Sequence, residues 1–410
     1  MFEQITSICR EGYREKGLIK KGGSLKMINS FINQIHYDEN RTLRMLNMMI
    51  SQKRKIGVFG AGGYAKTLID ELRGLSIFVD FCVVDDSYYI EGTTCNNVPI
   101  ISVEECNIRY KKSILVIGFG MTYQREQDII IRIRGIIDQS IDILDFEDQF
   151  LSYFYYMDYS FVLKNCESFQ WLFDRLFDDE SKRLLVDYVN GRISGDLHAL
   201  RSYVSQVPFD YRLDLLFNRI QEKEGVIVDC GAYDGSTAIQ IDCYLQGKSR
   251  IYAFEFDDDN FSKLKHNTVQ YKNIVPIKKG IWNCTCILEK QGNGQDAFIK
   301  EERNPNLVMD DERGTQDGKM IEVMALDDFI AVPVSAILMD IEGAEAYALR
   351  GAEKIIRRYH PAIAVRLYHR PLDFITIPGL IDRMTDIPYM FFLRYDCHYR
   401  GAADLTLYAI

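Results

Sequence analysis

Twice in this sequence a short apolar run stops at a glycine turn and restarts as an amphipathic helix. The two segments are KIGVFGAGGYAKTLIDELRG, from Lys55, and VIVDCGAYDGSTA, from Val226. A run of four or five apolar residues between turn signals is the pattern of a strand buried on both faces. After each, further runs of the same kind alternate with helical stretches. Strands that alternate with helices run parallel, because parallel neighbours need a crossover connection. The chain is therefore expected to be α/β. Its 410 residues, at roughly 150 per domain, leave room for two Rossmann-like doubly wound sheets in tandem.

The order of patterns sets the expected organisation. Residues 1–50 read as a helical N-terminal segment, with MINSFINQI and TLRMLNMMI carrying apolar residues at helical spacing. Residues 51–150 read as a small Rossmann-like nucleotide-binding domain, its later strands at FVDFCVVDDS, SILVIGFG and IDILDF. Residues 151–222 keep helical spacing and read as a helical connector. From 223 to 410 the alternation returns with VIVDCGAYDG, IYAFEF, IVPIKKGIW, AILMDIEG, AIAVRLYH, YMFFLRY and LTLYAI. The last two have no helix between them, which predicts an antiparallel hairpin closing a seven-stranded sheet. The polar stretch between Trp282 and Glu322 reads as a loop or lid.

Charge and composition narrow the function classes. Lys plus Arg number 49 against 59 Asp plus Glu, a formal charge of -10, which disfavours general attraction to a nucleic-acid backbone. No run approaches the roughly 18 apolar residues that cross a bilayer, and the charged start lacks the apolar core of a signal peptide. A cytoplasmic protein without membrane insertion is expected, and homo-oligomerisation is left open. The ten cysteines form no paired framework. Cys284 and Cys286 have no neighbouring His, so no metal site is expected there.

The second block carries the chemistry. Asp229, Gly231 and Gly235 fall at a strand end and a helix start, where glycine lets a ligand approach the backbone or merely makes a tight turn. Glu255 ends the next strand, where a carboxylate can accept hydrogen bonds from both hydroxyls of a ribose. Asp340 ends the fourth strand and His369 the fifth. Side chains there face the ligand crevice, and together they can activate a hydroxyl as a general base. His369 is the expected proton acceptor, since an unperturbed imidazole is mostly neutral at pH 7, with Asp340 orienting it or holding the acceptor. The plainer reading has Asp340 capping the following helix and Glu345 favouring its dipole. A metal held by Asp340 and Glu342 is not preferred, because too few acids cluster.

Residues 225–410 resemble the FkbM family of S-adenosylmethionine-dependent methyltransferases, through VDCGAYDGST, AFEFDDDNFSKLKHN, ALDDF, MDIEGAEAYALRGA, LYHRPLDFITIP and the terminal LYAI, in that order. DDESKRLLVDYVNGRISGD resembles the segment preceding this domain in longer members. The resemblance implies a class I methyltransferase fold, S-adenosylmethionine as cofactor and O-methylation of a sugar or glycan-precursor hydroxyl. It implies that Asp229, Gly231 and Gly235 line the methionine part of the cofactor and that Glu255 holds the ribose. Trp282 and Asn283 would border the adenine, and Asp340, Glu342 and His369 would face the methyl and its acceptor. Leu338 stands where the family often has Lys, and Phe256 where it often has Pro.

In the first block Gly60, Gly62 and Ala65 form G-x-G-x-x-A after a strand, and Asp85 closes the next strand at ribose-binding spacing. Phosphates could rest on the helix N-terminus near Gly63. GAGGYAKTLIDELR, VVDDS and NVPIIS resemble the nucleotide-sugar-binding domain of PglD-type sugar acetyltransferases, which implies a nucleotide or nucleotide-sugar at Gly60, Gly62, Gly63 and Asp85. A domain that serves only as scaffold is the alternative. For the whole chain, two other functions compete with methyl transfer. One is an NAD(P)-dependent oxidoreductase on the first domain. The other is a non-catalytic scaffold that retains the methyltransferase fold.

Overall fold

A computed structural model of the chain describes residues 30–38, 40–120, 125–145, 157–204, 211–222, 225–291, 298–299, 319–395 and 405–410. Most of the expected N-terminal helical segment, including the start of MINSFINQI, lies outside these residues. TLRMLNMMI falls in a helix, Arg41–Ser51. The chain divides into two compact units. One comprises Met1–Gln170, Val186–Val204 and Cys397–Ala402, and the other Trp171–Leu185, Ser205–Asp396 and Ala403–Ile410.

The first unit holds β1 (Ile56–Phe59), β2 (Phe81–Val84), β3 (Thr94–Cys95), β4 (Val98–Ser102), β5 (Ile114–Ile117) and β6 (Asp142–Leu144). They lie in the order β3-β4-β2-β1-β5-β6. All pair in parallel except β3 with β4. Alternate residues serve opposite faces, as the two-residue strand period requires. Val58, Cys82 and Val116 join Leu68, Ile69 and Leu72 of the helix Gly63–Gly74. Phe59, Phe81, Val83, Leu115 and Ile117 join Ile133 and Ile137 on the other side. With a helix on each face, every residue of β1 and β5 is buried, which is why the sequence reads as unbroken apolar runs there.

The described residues between 157 and 222 are helical, with helices Tyr159–Lys164, Cys166–Arg175, Asp179–Ser194 and Leu213–Glu222. No helix among the described residues is long and apolar enough to cross a membrane.

The second unit contains β7 (Val226–Cys230), β8 (Ile251–Phe254), β9 (Ile274–Ile277), β10 (Gly280–Ile281), β11 (Cys286–Gln291), β12 (Phe298–Ile299), β13 (Lys319–Met324), β14 (Val334–Met339), β15 (Ala362–Arg366), β16 (Phe391–Tyr395) and β17 (Leu405–Ala409). Seven of these form the main sheet, in the order β16-β17-β15-β14-β7-β8-β9. The five strands from β15 to β9 run parallel, and β17 lies antiparallel between β15 and β16. The expected closing hairpin is therefore present. From β7 the chain first winds one way through β8 and β9, then crosses back to β14 and β15. The junction of β7 and β14 is thus the point where strand order reverses, and ligand crevices of open α/β sheets lie beyond the carboxyl ends at such a point.

The stretch read from sequence as a loop is instead partly sheet. β11 pairs antiparallel with β13, and with β10 and β12 they form a separate four-stranded sheet. Polar alternation hid it: in β13, Ile321 and Val323 point inward while Met320 and Glu322 are exposed. Residues 292–297 and 300–318 of the expected loop lie outside the described residues.

Arg394 of β16 is buried and donates to Asp178 and to Ser181 Oγ, while Leu393 N also donates to Ser181 Oγ at 2.9 Å. Burial raises the Asp178 pKa, but hydrogen bonds from Arg394 and Ser181 outweigh it and hold the carboxyl at about 2. A carboxyl held below its ordinary value stabilises the fold above about pH 4 and loses that contribution as pH falls toward 2. Asp178→Asn is expected to cost about 3 kcal/mol. That is the low end for unpairing a buried ion, because the Asp178 side chain is 30% exposed. Denaturant titrations should give a flatter stability profile for the variant than for the parent between pH 4 and 2.

Candidate functional site

At the reversal point the backbone of Gly231 lies against Asp340. Gly231 has φ +84, and a Cβ there would lie 1.9 Å from the Asp340 carbonyl oxygen. Asp340 N donates to Cys230 O at 3.0 Å, so the two strand ends are tied together. Gly235, at φ +87, caps the helix Ser236–Tyr244, and its missing side chain is replaced by Leu264 and Thr268. Both glycines are thus required by the protein's own packing and by their left-handed backbone, rather than by leaving space for a ligand. Asp229 is buried within β7 beside them.

Glu255 comes directly after β8 and turns back to this loop. Its Oε2 accepts from Tyr233 N at 3.1 Å and its Oε1 from Asp257 N at 2.7 Å. Burial pushes its carboxyl up to about 7, against the lowering effect of those amides. Tyr233 is held at φ +48, a strained conformation for a residue with a Cβ. Asp257 caps the helix Asp258–Thr268 through Asp259 N and Asn260 N, and its other oxygen pairs with Lys290 of β11. Both partners of that ion pair are buried, so the small sheet is anchored to the Glu255 loop.

The other wall of the crevice is acidic. Asp340 and Glu342 are about one-third exposed, while Glu345 and His369 are buried. His369 Nδ1 lies 2.9 Å from Glu345 Oε1, and its Nε2 lies 3.4 Å from Asp340 Oδ1 and 3.5 Å from Glu342 Oε2. Burial alone lowers the His369 pKa, but Glu345 and then Glu342 outweigh it and hold the pKa well above the ordinary histidine value. Glu345, despite burial, is held low by the same pairing. The pairing with Glu345 and Glu342 works against the neutral, proton-accepting His369 expected from the sequence. Tyr368 donates to Asp340 Oδ1 at 3.2 Å and Arg366 Nε lies 3.5 Å from Asp340 Oδ2. Asp340 is not the N-cap of the helix Glu345–Arg350, a position held by Ala344. Asp340, Glu345 and His369 each bring one metal-capable atom within 4.8 Å of the others.

Residues 229–400 match the family model of the methyltransferase FkbM domain. This part of the chain is a methyltransferase FkbM domain. The fold agrees: methyltransferase FkbM from Methylobacillus flagellatus superposes with a TM-score of 0.65 at 21% identity, covering 91% of this chain and 94% of that one. A putative rRNA-methylase from Clostridium thermocellum aligns over 50% of this chain and 97% of its own, at 10% identity and a TM-score of 0.31. No curated protein matches the chain.

Within the FkbM domain, Trp282 is buried and stacks on Tyr347, with ring centroids 4.1 Å apart, and Asn283 beside it is exposed. The strand just before them, β10, belongs to the small sheet rather than to the main one. Cys284 and Cys286 bring their sulfurs to 3.4 Å in the next turn.

Glu345, Arg366, Tyr368 and Lys290 carry no functional assignment from the sequence. Glu345 is reached through its i−4 amide: its Oε1 accepts from Ile341 N at 3.0 Å, which folds it inward instead of leaving it on the helix surface. The spacing in DIEGAE carries that signal. Lys290 carries none, because its partner lies 33 residues away.

The first unit presents Gly60 at φ +127 against Gly118 O, and Gly62 and Gly63 at the open N-terminus of the helix Gly63–Gly74. Asp85, expected to hold a ribose, is engaged otherwise. Its carboxylate caps a 3-10 turn through Ser87 N and Oγ, and it pairs with Arg132 at 2.8 Å. The spacing places the acid at the strand end, but the turn after it consumes its oxygens.

The glycine geometry separates two substitutions. Gly231→Ala, with its blocked Cβ and positive φ, is expected to destabilise the fold by about 3 kcal/mol or more. Gly62→Ala meets no atom within 4 Å and should cost under about 1 kcal/mol, the loss of a modest cap preference. Chemical denaturation of the two variants measures the difference.

Proposed function

We propose that the chain is an S-adenosylmethionine-dependent O-methyltransferase acting on a hydroxyl of a sugar or glycan precursor. The observation that carries the cofactor reading is Glu255. It is a buried carboxylate at the carboxyl end of β8, joined to the Gly231–Gly235 turn through Tyr233 N and facing the crevice of a methyltransferase FkbM domain. Each of its oxygens spends one acceptor position on a backbone amide, and an ionised carboxylate has about four, so two ribose hydroxyls find acceptors. Asp229, Gly231 and Gly235 would line the methionine part, with Trp282 and Asn283 toward the adenine.

S-adenosylmethionine, when bound, supplies a methyl group on a positively charged sulfur. The acidic wall suits the rest of the task. Asp340 and Glu342 put negative charge near that cation, and both can accept a hydrogen bond from a sugar hydroxyl. With the His369 pKa raised by Glu345 and Glu342, a carboxylate would be the acceptor of the hydroxyl proton. Alignment of the hydroxyl supplies most of the acceleration, and a positioned base adds about 10²–10⁴-fold. A dinucleotide oxidoreductase seated on the first unit is disfavoured by the engagement of Asp85 with Ser87 and Arg132.

Parallel calorimetric titrations with S-adenosylmethionine and NAD test this reading: heat from the first and none from the second is expected. Binding of NAD alone would overturn it. Glu255→Ala should weaken S-adenosylmethionine roughly 10- to 150-fold, the value of a hydrogen bond to a charged group.

The same carboxyl gives the binding a pH dependence. With its pKa at about 7, Glu255 is largely protonated in the free protein below that pH. The stability it contributes is present below its ordinary value of 4.5 and is lost as pH rises through about 7. Ribose hydroxyls favour the ionised form, so affinity should rise from pH 6 to 8 with uptake of the ligand releasing a proton. Glu255→Gln should flatten that profile, as titrations in buffers of different ionisation enthalpy would reveal.

A further inference from the structure

We propose that Asp340, Glu345 and His369 hold a divalent metal cation at the carboxyl ends of β14 and β15, and that this cation receives the acceptor hydroxyls. The inference rests on the methyltransferase reading only for that last role. The first support is the arrangement of donors. One atom from each of the three residues lies within 4.8 Å of the others, close to the ~4.2 Å span of two opposed ligands at ~2.1 Å bonds. The second is the state of the buried groups. Glu345 is fully buried, and its Oε2 has no hydrogen-bond partner although Oε1 is engaged by Ile341 N and His369. His369 Nε2 is also buried, and stands 3.4 and 3.5 Å from the oxygens of Asp340 and Glu342. Those separations exceed the ~2.7–2.9 Å of a charge-assisted hydrogen bond and suit neighbouring ligands of a shared ion.

Formal charge points the same way. Four carboxylates meet here: Asp340, Glu342, Glu345 and Asp373, the last engaged by Arg370 N at 3.1 Å. The guanidinium groups beside them are Arg366, near Asp340, and Arg370, against Gly343. With Asp373 pushed up to about 8 and His369 neutral as a ligand, the other three carboxylates exceed the two guanidinium groups by one negative charge. An imidazole with carboxylates favours manganese or zinc over the all-oxygen preference of calcium and magnesium. A bound cation takes the place of the His369 proton and polarises a coordinated hydroxyl, which supplies the activation of the acceptor.

Mn²⁺ added to chelator-stripped full-length protein, followed by electron paramagnetic resonance of the free ion, tests the site. One equivalent bound per chain is expected, weakened at least tenfold in Asp340→Asn and in His369→Gln. Asp340 is part-exposed, so its variant remains informative if changes at buried Glu345 or His369 fail to fold. Elemental analysis of protein purified without chelator should find stoichiometric manganese or zinc. No binding of either metal by the parent protein, or unchanged binding in a folded Asp340→Asn, would overturn the proposal. Titration of stripped protein with S-adenosylmethionine keeps the two readings apart. Cofactor binding without cation binding removes only the metal site, and cation binding without cofactor binding removes only the methyltransferase assignment.

Discussion

The second unit depends on how closely β7 and β14 approach at their carboxyl ends. Residues 231 and 340 meet backbone to backbone, with the Gly231 α-carbon against the Asp340 carbonyl and Asp340 N bonded to Cys230 O. Only a residue without a Cβ and at positive φ permits this contact. From that contact the chain leaves in two directions. One leads through Tyr233 to the Glu255 carboxylate, and the other through Ile341 to Glu345 and His369. The crevice of the methyltransferase FkbM domain is thus bounded on both sides by segments whose origin is one steric constraint.

Both walls bury carboxylates, and they manage the cost in different ways. Glu255 is surrounded by amides and apolar groups without a cation of its own, so burial raises its pKa to about 7. Glu345 has His369 beside it and stays ionised. Asp373, close to Glu345, is pushed up to about 8, first by burial and then by that neighbouring charge. Asp257, two residues from Glu255, is held low by Lys290 in spite of burial. A few ångströms therefore separate carboxyl groups of opposite protonation behaviour, which is the pattern of a site rather than of a solvated surface.

The two units share a local pattern and use its last residue differently. Both have a strand, a glycine-rich turn, a helix and an acid at the end of the next strand. In the second unit the acid reaches back to the turn, since Glu255 accepts from Tyr233 N. In the first, Asp85 is drawn forward by Ser87 and sideways by Arg132. A short polar residue two positions after an acid invites a local hydrogen bond to backbone and hydroxyl. In the second unit the backbone amide of Asp257 takes only one of the two Glu255 oxygens.

The sequence by itself determined what local patterns encode: two α/β blocks, the parallel strands, the closing antiparallel pair and the placement of Glu255, Asp340 and His369 at strand ends. These features arise from hydrophobic period and turn chemistry, which act over a few residues. It did not reveal the strand pairing of Cys286–Gln291 with Lys319–Met324, since that pairing spans a long polar segment and has no local signature. Nor did it reveal the carboxylates that raise the His369 pKa. An isolated imidazole is mostly neutral at pH 7, and the approach of Glu345 and Glu342 to the buried ring pushes its pKa upward. Long-range electrostatics depends on distances that no spacing in one dimension specifies, so only the tertiary structure sets the charges that surround His369.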